Sequence, residues 1–229
     1  MATNASNGSS APDWAAAQAA VEKGDIGTVR AYLDAGGDVN LQGGSGNMTL
    51  LMWAGFTKEN DIAALLLERN ADVDVVDANC RGTALMWAVE AEAVDIVRQL
   101  LAKNPQLDHR DAAGETALMY VAKNGNRQIA KMLLEKGADP AITDLSGQKA
   151  IDHARCEKDA QSPTLSQLDV AKVIQEFADK RAAEAAKIEE ARQAAQQLTA
   201  ETVEACRTGT QNAVTLSRKL TFKTPISAR

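Results

Sequence analysis

Two histidines, His109 and His153, and three cysteines, Cys80, Cys156 and Cys206, are the residues of this 229-residue chain best suited by type to acid–base, nucleophilic or metal-binding chemistry. A catalytic or metal centre needs several such groups brought together, and no spacing here does so. The cysteines are odd in number and form no Cys-x-x-Cys pair, which argues against a disulfide framework or a structural zinc site. No motif sets a Ser, Cys or carboxylate beside His153, so a packing or surface role is expected of it. His109 falls in a linker. Gly43, Gly44 and Gly46 cannot be a phosphate cradle, because no strong strand precedes them and no Gly-Lys-Ser/Thr follows. The expectation is no catalytic residue, no metal ligand set and no cofactor.

The elements that would position any site show a simple order. The stretch Asp111 to Pro140 reads as two short helices and a turn. Ala117, Leu118, Val121 and Ala122 line one apolar face at helical spacing, and Ile129, Ala130, Met132, Leu133 and Leu134 line another. Gly125 separates the faces, and Gly137 ends the second, where a left-handed backbone suits a residue without Cβ. Thr116 precedes the first helix as its cap. Thr49, Thr83 and Thr116 open three copies at intervals of 34 and 33 residues. A fixed period of that size with two helices per period predicts a stacked array.

The run Gly114-Glu115-Thr116-Ala117-Leu118, followed by Gly137-Ala138-Asp139, resembles the ankyrin repeat. The resemblance covers Asp13 to about Phe177 and implies an all-α solenoid of helix-turn-helix units with short hairpin fingers, about five in number, followed by a long C-terminal helix. Residues 1–12, rich in Ser, Asn, Gly and Ala, read as a disordered arm. The repeats read as 13–40, 41–74, 75–108, 109–140 and 141–177, with an atypical first unit serving as the terminal cap. Asn70 and Asn104 take the place of Gly137, and Asn also tolerates a left-handed backbone. Glu92 stands where the family has glycine, so an altered turn is expected there. In the fifth unit Val170, Ala171, Val173 and Ile174 mark the second helix, delayed by the polar segment 157–167, with Ser166 and Asp169 spaced as a capping box. Residues 178–206 read as a helical extension, made of strong helix formers through Gln197, with a heptad seam too rich in charge and alanine for a coiled coil. Residues 207–229 form a basic tail expected to be mobile.

Aromatic residues make up only 3% of the chain while 45% is hydrophobic, which suits thin, closely packed helix pairs. A net charge of −6 leaves no electrostatic footprint for nucleic acid. The N-terminal residues lack the basic and apolar regions of a secretory signal, and no apolar run of about 18 residues occurs, so a soluble cytoplasmic protein is expected, with the nucleus as the alternative.

Trp53, Trp87, Tyr120 and His153 hold equivalent places in successive repeats, and inter-repeat packing is their expected role. Met52, Met86 and Met119 replace the histidine usual in the family and are expected to fill the core. The resemblance further implies protein binding along a concave side by finger tips and first-helix ends. In this chain those positions are Met48, Phe56, Thr57, Glu90, Ala91, Glu115, Lys123, Asn124, Gln148, Cys156 and Glu157. Phe56 is the most suggestive, as a large aromatic where exposure is expected. In the tail, Arg218, Leu220 and Phe222 resemble the Arg-x-Leu-x-Phe docking peptide that cyclins recognise, and Ser162-Pro163 and Thr224-Pro225 are minimal proline-directed phosphorylation sites. The reading is a non-enzymatic scaffold or adaptor for partner proteins, with self-association through the C-terminal helix as a further use. The alternative is a regulatory subunit whose tail docks a kinase, cyclin or other enzyme.

Overall fold

In the three middle repeats a threonine ends an extended finger and starts a helix. Thr49 and Thr83 have extended backbones, and their Oγ1 atoms accept from the N–H of Met52 at 3.3 Å and Met86 at 3.4 Å. The computed structural model describes residues 13–44, 46–155 and 165–207. Within these, the helices come in five pairs: α1 (Trp14–Glu22) with α2 (Ile26–Asp34), α3 (Leu50–Thr57) with α4 (Asn60–Glu68), α5 (Ala84–Glu90) with α6 (Val94–Ala102), α7 (Ala117–Asn124) with α8 (Arg127–Glu135), and α9 (Ala150–Arg155) with the start of α10 (Leu165–Arg207). First helices pack on first helices from α1 to α9, and second on second from α2 to α8, giving two layers. Leu50, Leu66, Leu85, Ile96, Leu118 and Ile129 are among the fully buried side chains between them. Burial of each contributes about 1.5–3 kcal/mol. Met52, Met86 and Met119 are buried with them, and the sulfurs of Met52 and Met119 also accept from the N–H of Thr49 at 3.4 Å and Thr116 at 3.5 Å.

Left-handed residues recur in register. The turn between helices places Gly24, Lys58, Glu92 and Gly125 at φ of 70°, 64°, 55° and 78°. Glu92 therefore keeps the common turn and does not alter it. The strain of a side chain in that conformation, about 1 kcal/mol, is partly offset because Asn126 Nδ2 donates to its Oε2 at 3.3 Å. Asn70 and Asn104, at φ of 62° and 54°, do end their helices as Gly137 does at 105°.

The fingers are narrow antiparallel pairs, Gly43 with Met48, Val76 with Thr83 and Thr143 with Lys149. Neighbouring fingers are stitched by Ala78 N–H to Gly46 O at 3.3 Å, Ala112 N–H to Cys80 O at 2.7 Å and Leu145 N–H to Ala113 O at 3.1 Å.

In the fifth pair, Val170, Ala171, Val173 and Ile174 are buried, as a second helix requires. That helix already includes Leu165, so Ser166 is helical and not its cap. The arm 1–12, Ser162-Pro163 and the tail from residue 208 lie outside the described residues. The chain divides into two units, the first ending at Glu176 and the second beginning at Phe177. In the second, Ile188 and Val203 on α10 are largely exposed. Among the described residues no helix is long and apolar enough to cross a membrane.

Candidate functional site

Three fingers fold around a buried carboxylate. Asp77 Oδ1 accepts from the N–H groups of Asn79 and Cys80, each at 2.8 Å, and its Oδ2 accepts from Gly82 N–H at 2.8 Å, Trp87 Nε1–H at 3.2 Å and the Cys80 thiol at 3.2 Å. Asp111 accepts from Ala113 and Glu115 N–H and from the Tyr120 hydroxyl, all at 2.8 Å. Asp144 Oδ1 accepts from Ser146 N–H at 2.7 Å and Gln148 N–H at 2.9 Å, and its Oδ2 faces His153 Nε2 at 2.9 Å. Burial pushes the Asp77 and Asp144 carboxyls up, but these hydrogen bonds more than reverse it, and both sit below the ordinary carboxylate value. Burial, and then the bond to Asp111, push the Tyr120 phenol well up.

Trp87, Tyr120 and His153 thus do more than pack between repeats: each ties its helix to its own finger. His153, for which the sequence offered no partner, has Asp144. The legible signal was an Asp nine or ten residues before each ladder residue. Trp53 breaks the pattern. Ten residues earlier stands Gly43, and among the described residues Trp53 Nε1 is buried without an acceptor. A Cβ on Gly43 would lie 2.6 Å from the Trp14 ring, whose Nε1 donates to Leu41 O at 3.0 Å. The terminal repeat therefore braces the first finger with Trp14 where the others use aspartate. Gly43→Asp is expected to destabilise the chain by about 2 kcal/mol through this overlap, despite offering Trp53 an acceptor. Combining it with Trp14→Ala should cost less than the sum of the two single changes, read by urea melts as a double-mutant cycle.

The expected binding positions separate into distinct environments. Met48 is buried at 6% exposure, a correction: pairing with Gly43 holds its backbone in the finger, and its apolar side chain is withdrawn from water. Thr57 is half-buried and donates to Trp53 O at 2.8 Å. Asn124 Nδ2 reaches Val89 O at 3.3 Å and Glu90 O at 3.4 Å, joining two repeats. Glu90 is exposed and Ala91 half-buried. Cys156, Glu157, Arg218, Leu220 and Phe222 lie outside the described residues.

Two groups of residues converge. Phe56 is 47% exposed, with its ring edge-on to Trp53 at 6.3 Å and to Trp87 of the next repeat at 5.7 Å. Glu115, Lys123 and Gln148 line a cavity of about 320 Å³ together with Asp144, His153 and Gln167. There Lys123 Nζ pairs with Glu115 and lies 5.3 Å from the Tyr120 ring centre, while Gln167 Nε2 donates to Lys123 O at 2.7 Å. A cleft of similar size between α6 and α8, lined by Arg98, Leu101, Met132 and Glu135, gathers no comparable set of groups.

Paired helices, stitched fingers and left-handed turns at this period define a protein of the ankyrin-repeat class, and residues 74–144 match the ankyrin-repeat family profile in three copies. That stretch of the chain consists of ankyrin repeats. Ankyrin repeats generally mediate protein–protein interaction, and the family is typically non-enzymatic. A 41-residue stretch is 54% identical to the NAD-capped RNA hydrolase NUDT12 of Homo sapiens, and equally to that of Macaca fascicularis. The match takes in 18% of this chain and spans only 9% of each relative's length.

Proposed function

We propose that this chain is a non-enzymatic scaffold or adaptor that binds a partner protein on its finger-and-first-helix face, anchored at Phe56. The observation that carries this reading is an aromatic ring almost half in water yet held edge-on by two tryptophans. A ring held in place loses little conformational entropy on binding, so most of its buried area counts toward affinity. Exposed Glu90 holds in the third repeat the position that Phe56 holds in the second, and supplies a polar group on the same face of the repeat. The proposed setting is the cytoplasm or nucleus, where the Cys80 thiol stays reduced. Self-association through α10 would be a separate use of the chain.

Affinity capture from cell lysate with the full chain, followed by titration of the captured partner, tests the reading. Phe56→Ala is expected to weaken binding about 30-fold, the equivalent of roughly 2 kcal/mol, with an unchanged circular-dichroism spectrum. Retention with Phe56→Ala, together with loss on Arg218→Ala and Phe222→Ala, would move recognition to the tail and favour the regulatory-subunit reading.

A further inference from the structure

We propose that Glu115, Asp144 and His153 form a binding site for a divalent transition-metal ion of the zinc class, clipping the fourth repeat to the fifth. The proposal is independent of the protein-binding reading. One ligand atom from each residue lies within 4.8 Å of the other two. Ligands at about 2.0–2.2 Å from one ion sit some 3.3 Å apart in a tetrahedral site, so a small rotation of the Glu115 side chain brings the set around one centre. The other two groups are buried and already directed. Two backbone N–H groups hold Asp144 Oδ1, which leaves Oδ2 as a monodentate ligand beside His153 Nε2, an orienting outer shell of the kind metal carboxylates have.

The rest of the array shows why this step is different. Locking a finger needs only a donor toward its aspartate, and Trp87 and Tyr120 supply one without a ring nitrogen able to ligate. At the fifth repeat the donor is an imidazole. The finger position of Glu115 is held by Gly82 in the third repeat and Met48 in the second, neither of which brings a carboxylate. Ligating groups from two consecutive repeats thus meet here, across the Asp144 finger.

Charge favours a cation in the cavity, since among the described residues two carboxylates face a single ammonium, that of Lys123. Lys123 is 40% exposed, so it can release Glu115 and turn to water while staying over Tyr120. One imidazole and two carboxylates suit zinc, cobalt or manganese better than calcium or magnesium, which take oxygen ligands in greater number. The cavity of about 320 Å³ leaves room for water in the remaining position.

The test is calorimetric titration of the chelator-treated full chain with Zn²⁺, with Co²⁺ absorption as a second readout and thermal melts alongside. One ion per chain is expected, with a rise in the melting midpoint that grows with free Zn²⁺. His153→Tyr reproduces the Tyr120–Asp111 lock of the fourth repeat, so it should keep the fold while weakening Zn²⁺ binding about tenfold or more and removing the midpoint rise. Glu115→Gln should weaken binding similarly. Absence of binding at millimolar Zn²⁺, or equal affinity in the wild type and both variants, would overturn the site; the second result would assign the ion to the thiols or His109.

Discussion

Asp77→Ala is expected to lower the free energy of unfolding by about 4 kcal/mol. A hydrogen bond to a charged acceptor is worth about 1.5–3 kcal/mol, and Asp77, only 2% exposed, accepts from three backbone N–H groups, an indole and a thiol. These contributions are not additive, because Cys80 and Trp87 can turn partly to water once the carboxylate is gone. The loss is nevertheless large, since the same finger is stitched to both neighbours through Ala78 N–H and Cys80 O. In an array whose stability is mostly nearest-neighbour, a loosened central finger weakens two interfaces at once. The folded Asp77 carboxyl sits below its ordinary value. Its contribution is therefore fully present above the unfolded value, near pH 4, and is lost as pH falls through the folded value. Urea melts along a pH series should show a difference near 4 kcal/mol at pH 7 that narrows in acid. A difference under about 1 kcal/mol at pH 7, or parallel acid limbs, would show that the finger does not depend on this carboxylate.

Leu100→Ala is expected to cost about 3 kcal/mol. Leu100 is fully buried in α6, which packs between α4 and α8, so the cavity left by the lost atoms is walled by helices of three repeats that cannot all close in. Leu145→Ala removes the same atoms from a finger tip that is 75% exposed and should change stability by no more than about 0.5 kcal/mol. Denaturant midpoints with an unchanged slope would register both. Similar costs at the two positions would mean that the second-helix layer is not a close-packed core.

Much of the architecture was legible along the chain, and for a specific reason. Thr49, Thr83 and Thr116 cap the helices they precede in order, and Asn70 and Asn104 take the left-handed backbone of Gly137. Helical periodicity, caps and helix stops are local codes, and a period of 33 or 34 residues repeats each one often enough to be recognised. The altered turn expected at Glu92 does not occur, because the turn requires a left-handed backbone and not glycine itself. The fold holds the same left-handed turn around Glu92, as it does around Lys58.

The site was legible only in part. The exposure of Phe56 was legible from its position in the repeat, yet its two tryptophan neighbours come from different repeats and meet it only in the stack. Met48 was misplaced because repeat position alone does not say which way a finger side chain turns. Asp77, Asp111 and Asp144 stand nine or ten residues before their partners, a spacing that matches no known motif and gains its meaning only once the finger folds back on its helix.

Local sequence set the helices, the turns, the repeat period and the class of fold, since each depends on residues within a few positions of one another. Stacking decided what a side chain meets 30 or more residues away. Trp14 fills the place an aspartate side chain would need at Gly43 and leaves Trp53 Nε1 without an acceptor among the described residues. Glu115 reaches the Asp144–His153 pair only because successive fingers are joined by hydrogen bonds at their tips. Those meetings follow from the rise and register of the array, which no single repeat encodes.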